Sequence, residues 1–415
     1  MNSVYDTYDT LCKFAHEQAE MMFRPASGYM KHSYIDPGGP YSENLWDWDS
    51  YWAATALFTV AEKLKDSDML SKVKTHALGS LLNFFDHQGK DGSLPILMST
   101  KDADWFDSVD KPENNMAKPV QALFLRLLVE KDAISQTQVQ DLLHRIKLVA
   151  ECRNRRYRHE NSGLLVWAND IAIGIDDDPA IWGRPAFSGA HIFYNSFLAM
   201  DLEAAAVLSE KFHLKELHQY FLTEYKAIVK AIYMYAWDNR DGWYYSCDVQ
   251  CRQNLRPHRH FPPLNTYLEP FWRVMPLRIR GYSGLLPLVA KIASPEQAKR
   301  VVEKLVDPEE FWCDYGIRTM SKIEDRFYEP TRFRGNPSNW LGPVWIISSY
   351  LAYLALKNYG YDTEAGEIAV NTRKLLAADY EQNGLVHEYY SPDDGHPISG
   401  PGFLNWNLLV FCMES

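Results

Sequence analysis

The sequence predicts an all-α protein, a toroid of paired helices (an (α/α)6 barrel) with short β-hairpins in its rim loops. Apolar residues recur at helical spacing in about a dozen segments, while strand-like stretches are few and short. There is no alternation of strand and helix, which excludes a parallel-sheet fold and an eight-stranded barrel. No Ser/Gly- or Pro-rich linker divides the 415 residues, so a single domain over residues 1–415 is expected. In such a ring the loops of one rim converge on a central pit, and residues remote in sequence can share one site.

The elements follow in order. Residues 5–24 carry Leu11, Phe14, Ala15 and Ala19 on one helical face. Pro37-Gly-Gly-Pro40 is a firm break. After it, Trp52, Ala56, Val60 and Leu64 repeat at helical spacing, with Asp49 or Ser50 as the expected N-cap. Residues 68–87, 116–130 and 136–156 read as helices, Pro119 being tolerated in a first turn. Residues 191–211 and 214–236 are helical again. Trp237–Ser246 reads as a turn and short strand, residues 283–292 and 296–306 as short helices, and 339–357 and 361–379 as longer ones. Gly384–Tyr390 has strand character before a Ser-Pro-Asp-Asp-Gly turn, and residues 403–412 close the chain as a short helix.

Composition narrows the partners. The net charge of −11 argues against nucleic acid and anionic membranes. No window approaches the roughly 18 apolar residues of a membrane span. The N-terminus shows no basic segment followed by an apolar run, and the six Cys are scattered without a Cys-x-x-Cys. The expectation is therefore a cytoplasmic protein with reduced thiols. The sequence leaves its oligomeric state open. Aromatic residues make up 14% of the chain, with 13 Trp. A large core uses aromatics, and so does a carbohydrate site, where flat sugar faces pack on rings.

Two stretches carry chemistry. Trp46-Asp-Trp-Asp-Ser50 interleaves hydrogen-bond acceptors with stacking faces, as sugar recognition requires. Gly174-Ile-Asp-Asp-Asp-Pro-Ala-Ile-Trp-Gly-Arg-Pro185 places three adjacent carboxylates in an irregular loop. Taken alone, that loop is equally well a solvated acidic turn or a weak calcium loop, although its spacing is not that of an EF-hand. His258 and His260 have no evident third ligand nearby.

Four motifs in order resemble known glycosidases. Pro37-Gly-Gly39 with Trp48-Asp-Ser-Tyr-Trp52 is similar to the first signature of trehalases, glycoside hydrolase family 37. Gly174-Ile-Asp-Asp-Asp-Pro179, Trp340-Leu-Gly-Pro-Val-Trp345 and His387-Glu-Tyr-Tyr390 more closely resemble glycoside hydrolase family 63. That family includes processing α-glucosidases and bacterial mannosylglycerate and glucosylglycerate hydrolases. Pro40 stands where trehalases have Arg, and no clear Gln-Trp-Asp follows, which counts against trehalose. The chain length points to the short bacterial branch.

The resemblance implies an (α/α)6 barrel and an inverting α-glycosidase with no metal or cofactor, acting on a small carbohydrate. Carried over, Asp176 is the general acid and Glu388 the general base. Trp46, Trp48, Asp49, Tyr51, Gln121, Trp182, Arg184, Trp340 and Trp345 form the substrate-binding set. The mechanism requires Asp176 protonated near neutrality, aided by its acidic neighbours and enclosure by Trp182, with Glu388 ionised. Arg184 has two readings: an ion pair with one of the three acids, or a clamp for an anionic aglycone such as glycerate. Rival classes are a trehalase, a non-catalytic sugar-binding toroid, and a sugar epimerase or isomerase using paired His residues. His191, His258, His260, His387 and His396 show no such arrangement.

Overall fold

The computed structural model describes residues 2–250, 274–331 and 338–414. The basic stretch 256–263, with His258 and His260, lies outside the described residues. Eleven α-helices are described: α1 Asn2–Gln18, α2 Asp47–Leu64, α3 Ser67–Asp86, α4 Gln121–Glu130, α5 Gln136–Tyr157, α6 Ile192–Lys211, α7 Lys215–Tyr235, α8 Leu286–Val289, α9 Pro295–Leu305, α10 Ile346–Asn358 and α11 Asp362–Asn383. A 3-10 helix, Asn405–Cys412, closes the chain. None of the described helices is long and apolar enough to cross a membrane.

The inner ring runs α2, α4, α6, α8, α10 and the closing helix, each packed on the next, and the closing helix returns to α2. Outside it lie α1, α3, α5, α7 and α11. This is the (α/α)6 arrangement the sequence predicts. The inner helices are apolar nearly all round, as the pattern of a helix buried on every side requires. Residues of α6 such as Phe193, Phe197, Ala199, Ala205 and Leu208 are all buried, as are Ile347, Leu351, Ala352 and Leu356 of α10. Two of the outer helices, α3 and α5, start on explicit caps. Asp66 accepts from Met69 N on α3, and Ser135 with Gln138 makes a reciprocal capping box on α5.

Several boundaries differ from the sequence reading, and each difference shapes the pit. Helix α4 starts at Gln121 rather than 116. Backbone N–H groups of the preceding segment are engaged elsewhere: Ala117 N donates to Leu94 O (3.1 Å) and Lys118 N to Asp47 Oδ2 (2.6 Å). Pro119 also keeps the residue before it out of helix. Helix α10 starts at Ile346, because Val344–Trp345 pairs antiparallel with Tyr389–Tyr390. Helix α2 starts at Asp47, so neither Asp49 nor Ser50 is its N-cap. Trp46 takes that position without a side-chain cap, and Asp47 accepts from Trp48 N (2.7 Å). Strand structure in 384–390 is confined to Tyr389–Tyr390. The 237–246 segment is a hairpin, Trp237–Asp238 against Trp243–Tyr244.

The ring is sealed where the Pro-Gly-Gly break meets the closing helix. Leu404 N and Asn405 N both donate to Pro37 O (3.2 and 3.1 Å), and Gly38 bridges Phe403. Gly39 sits at φ +57°, and a Cβ there would come within 2.9 Å of Phe403 N. The glycine is required by both backbone conformation and space. Gly39→Ala is therefore expected to destabilise the fold by about 1–3 kcal/mol in denaturant unfolding. An unchanged midpoint would show that this seam does not hold the ring shut.

Candidate active site

The first turns of α2 and the closing helix, and the segments feeding α4, α6 and α10, border one cavity of about 370 Å³. Its lining includes Tyr41, Trp46, Trp48, Asp49, Phe106, Lys118, Asp176, Trp182, Trp340, Glu388, Phe403 and Trp406. Several helix N-termini, with their partial positive ends, thus face a cluster of carboxyls.

Asp176 is half-buried in the loop between α5 and α6. That loop is anchored at several points. Asn115 Nδ2 donates to Asn169 Oδ1 (2.7 Å) and Ile171 O (2.9 Å), and its Oδ1 accepts from Ala168 N (2.7 Å). Gly174, at φ +88°, lies flat on Trp48, where an added Cβ would stand 2.9 Å from the indole Cζ2. The two other acids of the triplet point to partners of their own. Asp177 Oδ1 accepts from Trp340 N (2.9 Å), and Asp178 Oδ2 pairs with His191 Nε2 (2.9 Å). The triplet is thus neither a solvated turn nor a set of ligands converging on one ion.

Glu388 precedes the Tyr389–Tyr390 strand and is buried, its N–H donating to Ser399 O (2.9 Å). Behind the strand, Asp379 of α11 accepts from His387 N (3.0 Å) and the Tyr390 hydroxyl (2.8 Å), and it contacts His387 Nδ1 (3.0 Å). These contacts hold the Asp379 carboxyl below the usual carboxylate range, against its own burial. The Tyr41 hydroxyl lies beside the Glu388 carboxyl. Glu388 Oε2 is buried and has no hydrogen-bond partner among the described residues. An acceptor left in that state is costly unless a water or ligand completes it.

Asp49 stands beside these groups, its Oδ1 accepting from Asn405 Nδ2 (2.6 Å). Below it, Lys118 Nζ pairs with Asp47 Oδ1 (2.8 Å) and donates to Ala172 O (3.2 Å), all in the interior. Removing one member of such a buried pair costs about 3–5 kcal/mol.

The carboxyls perturb one another. Burial first, then the charges of Asp49 and Asp176, pushes Glu388 up to about 8, against the lowering influence of the neighbouring Tyr41 hydroxyl. Burial also raises Asp49 to about 7, opposed by Lys118 and reinforced by Asp47 and Asp176. Like charges crowded around one cavity do not all ionise, so the cluster shares protons near neutrality. The sequence reading expects Glu388 ionised in the resting site; its surroundings instead favour the proton.

Of the sequence-derived site residues, Trp46, Trp48, Asp49, Asp176, Trp182, Trp340 and Glu388 line the cavity. Four do not. Tyr51 packs on Trp52 and Phe124 on a deeper turn of α2. Gln121 is buried, donating to Lys118 O (2.8 Å) and accepting from Arg153 Nη2 (2.7 Å). Trp345 is fully buried behind Trp340. Arg184 pairs with Asp248, not with any member of the triplet. Trp182 is exposed at the mouth and does not enclose Asp176. Tyr41, Lys118, Phe403 and Trp406 were missed. Phe403 and Trp406 sit in the apolar closing segment and carry no local signal. Tyr41, directly after Pro-Gly-Gly-Pro, and Lys118, next to Pro119, are polar residues at breaks and were detectable on that ground.

A family model for the mannosylglycerate hydrolase MGH1-like glycoside hydrolase domain matches residues 42–406. The chain belongs to this glycoside hydrolase family. It is 31% identical over 146 residues to the mannosyl-oligosaccharide glucosidase of Saccharomyces cerevisiae, covering 31% of this chain and 17% of that protein. It is 33% identical over 131 residues to mannosylglycerate hydrolase MGH2 of Selaginella moellendorffii, covering 31% and 23%. The matches thus span about a fifth of those relatives' length. Among solved structures, the family 63 mannosylglycerate hydrolase of Thermus thermophilus in complex with glucose superposes with a TM-score of 0.71 at 19% identity, over 97% of this chain and 99% of that one. Neutral trehalase Nth1 of Saccharomyces cerevisiae gives 0.63 at 14%, over 92% and 73%. The barrel is common to both.

A carbon-13 titration of the Glu388 carboxyl is expected to show a midpoint near 8, well above an ordinary glutamate. Asp49→Asn removes a neighbouring negative charge and should lower that midpoint. A midpoint near 4.5 in the wild type would contradict the burial of Glu388 among neighbouring acids.

Proposed function

We propose that the chain is an inverting α-glycosidase that hydrolyses a small α-glucoside or α-mannoside, with Asp176 as general acid and Glu388 as general base. The observation that carries the proposal is the pairing of these two carboxyls, from loops remote in sequence, in one aromatic-walled cavity. Asp176 protonates the departing glycosidic oxygen as its bond to the anomeric carbon breaks. Glu388 takes a proton from a water that attacks that carbon from the opposite face, leaving the sugar with inverted configuration. Its unpartnered Oε2 suits such a water, and the raised proton affinity makes the carboxylate a stronger base once ionised. Asp49, oriented by Asn405 Nδ2, offers its carboxyl to ring hydroxyls, while Trp48, Trp340 and Trp406 supply the walls.

A cavity of about 370 Å³ is at the lower end of ligand pockets, which favours a small glycoside. Relatives named for mannosylglycerate hydrolysis, and Thermus complexes with glucose and with D-glycerate, support a glucoside or mannoside whose aglycone is another small sugar or glycerate. We place the activity in one domain spanning residues 1–415 in the cytoplasm, a reading supported by the free thiols of Cys12, Cys152, Cys313 and Cys412.

The test is hydrolysis of trehalose, kojibiose, nigerose, sucrose, glucosylglycerate and mannosylglycerate, followed by proton NMR of the released anomer. The β-anomer should appear first, and both Asp176→Asn and Glu388→Gln should lose at least about 100-fold in kcat. Initial release of the α-anomer would contradict the assignment. Sugar binding without turnover in the wild type would favour a binding module.

A further inference from the structure

The acidic triplet divides its labour. Taking Asp176 as the acid, which rests on the proposed function, we infer that Asp177 is a positioning residue: its carboxyl clips the acid-bearing loop to the Trp340–Trp345 segment, which pairs with the strand that follows the base.

The clip runs through a continuous set of contacts. Asp177 Oδ1 accepts from Trp340 N at 2.9 Å. The Trp340 ring stacks on Trp345, with centroids 3.8 Å apart and planes 11° from parallel. Trp345 stacks in turn on Tyr389 at 4.9 Å and 20°, and the two residues are register partners in the strand pair. Tyr389 directly follows Glu388. Trp345 Nε1 donates to Asn339 O (2.8 Å), locking the turn that presents Trp340 N to Asp177. One residue from the acid, therefore, the chain is fastened to a rigid stack that ends one residue from the base.

Asp178 fastens the other side of the loop. Its Oδ1 accepts from Ala180 N (2.8 Å), and its Oδ2 takes the His191 Nε2 contact. His191 is the N-cap of α6 and its Nδ1 accepts from Phe193 N (3.2 Å). The neutral ring therefore carries its proton on Nε2 and donates it to Asp178. The triplet is thus held from α6 on one side and, on the other, from the Trp340–Trp345 segment that pairs with the strand after the base. Of the two clips, only the Asp177 clip spans the distance between acid and base. In catalysis that distance matters steeply, because a displacement of about 1 Å costs roughly 100-fold in rate.

The test compares Asp177→Ala with Asp177→Asn, whose amide oxygen still accepts from Trp340 N, on two substrates. One is the best glycoside from the screen; the other is the matching α-glycosyl fluoride, whose fluoride leaves without protonation. Asp177→Ala should lose about 30- to 100-fold in kcat on the glycoside with KM changed less than about threefold, and much less on the fluoride. Asp177→Asn should recover most of the loss. The inference is overturned if Asp177→Ala matches the wild type, if Asp177→Asn is as impaired as Asp177→Ala, or if the loss is equal on both substrates. Failure of the underlying reading shows separately, as full activity of Asp176→Asn on the glycoside.

Discussion

The stack of Trp340, Trp345 and Tyr389 is the constraint on which the rest of the site depends. Its rings are buried, lie in nearly parallel planes and come from two segments joined where Val344–Trp345 pairs with Tyr389–Tyr390. Flat rings buried in this way give geometry that aliphatic side chains, with their rotamer freedom, do not. One face of the assembly walls the cavity, one end meets the acid loop, and the other end holds the strand that begins after Glu388. Trp406 of the closing helix leans on both Trp340 and Trp345, so the seam of the barrel and the wall of the cavity are the same packing.

Around that frame the electrostatics are deliberately unfavourable. Asp49, Asp176 and Glu388 line one cavity, and Lys118 is already held by Asp47. The cluster keeps protons at pH values where isolated carboxyls lose them. A site that must both donate and accept a proton near neutrality needs carboxyls in that condition. The N-terminus of α2 and the Tyr41 hydroxyl beside Glu388 limit the repulsion.

The ring of helices was legible because its inner members are apolar nearly all round and because outer members such as α3 and α5 are amphipathic and capped. Boundaries were not legible where tertiary contacts captured the backbone first. Lys118 N bonds to Asp47, which holds back α4, and strand pairing delays α10 to Ile346. Clustering of Asp49, Asp176, Trp340 and Glu388 followed from the family motifs rather than from any local pattern. The motif-based reading missed which residues of a motif face the cavity. Trp345 lies behind Trp340, and Gln121 turns inward to Arg153, because side-chain direction depends on where the helix actually starts. It also could not show that Arg184 meets Asp248, a residue far along the chain.

The most direct test of this account is a crystal structure of the Glu388→Gln protein with a bound glycoside. The account predicts the Asp176 carboxyl against the glycosidic oxygen, and a water held by residue 388 on the opposite face of the sugar. The two side-chain carboxyl carbons should be about 6.5–9.5 Å apart. A separation near about 5 Å, with no room for the water, would contradict the inverting mechanism and the role given to the stack that sets it.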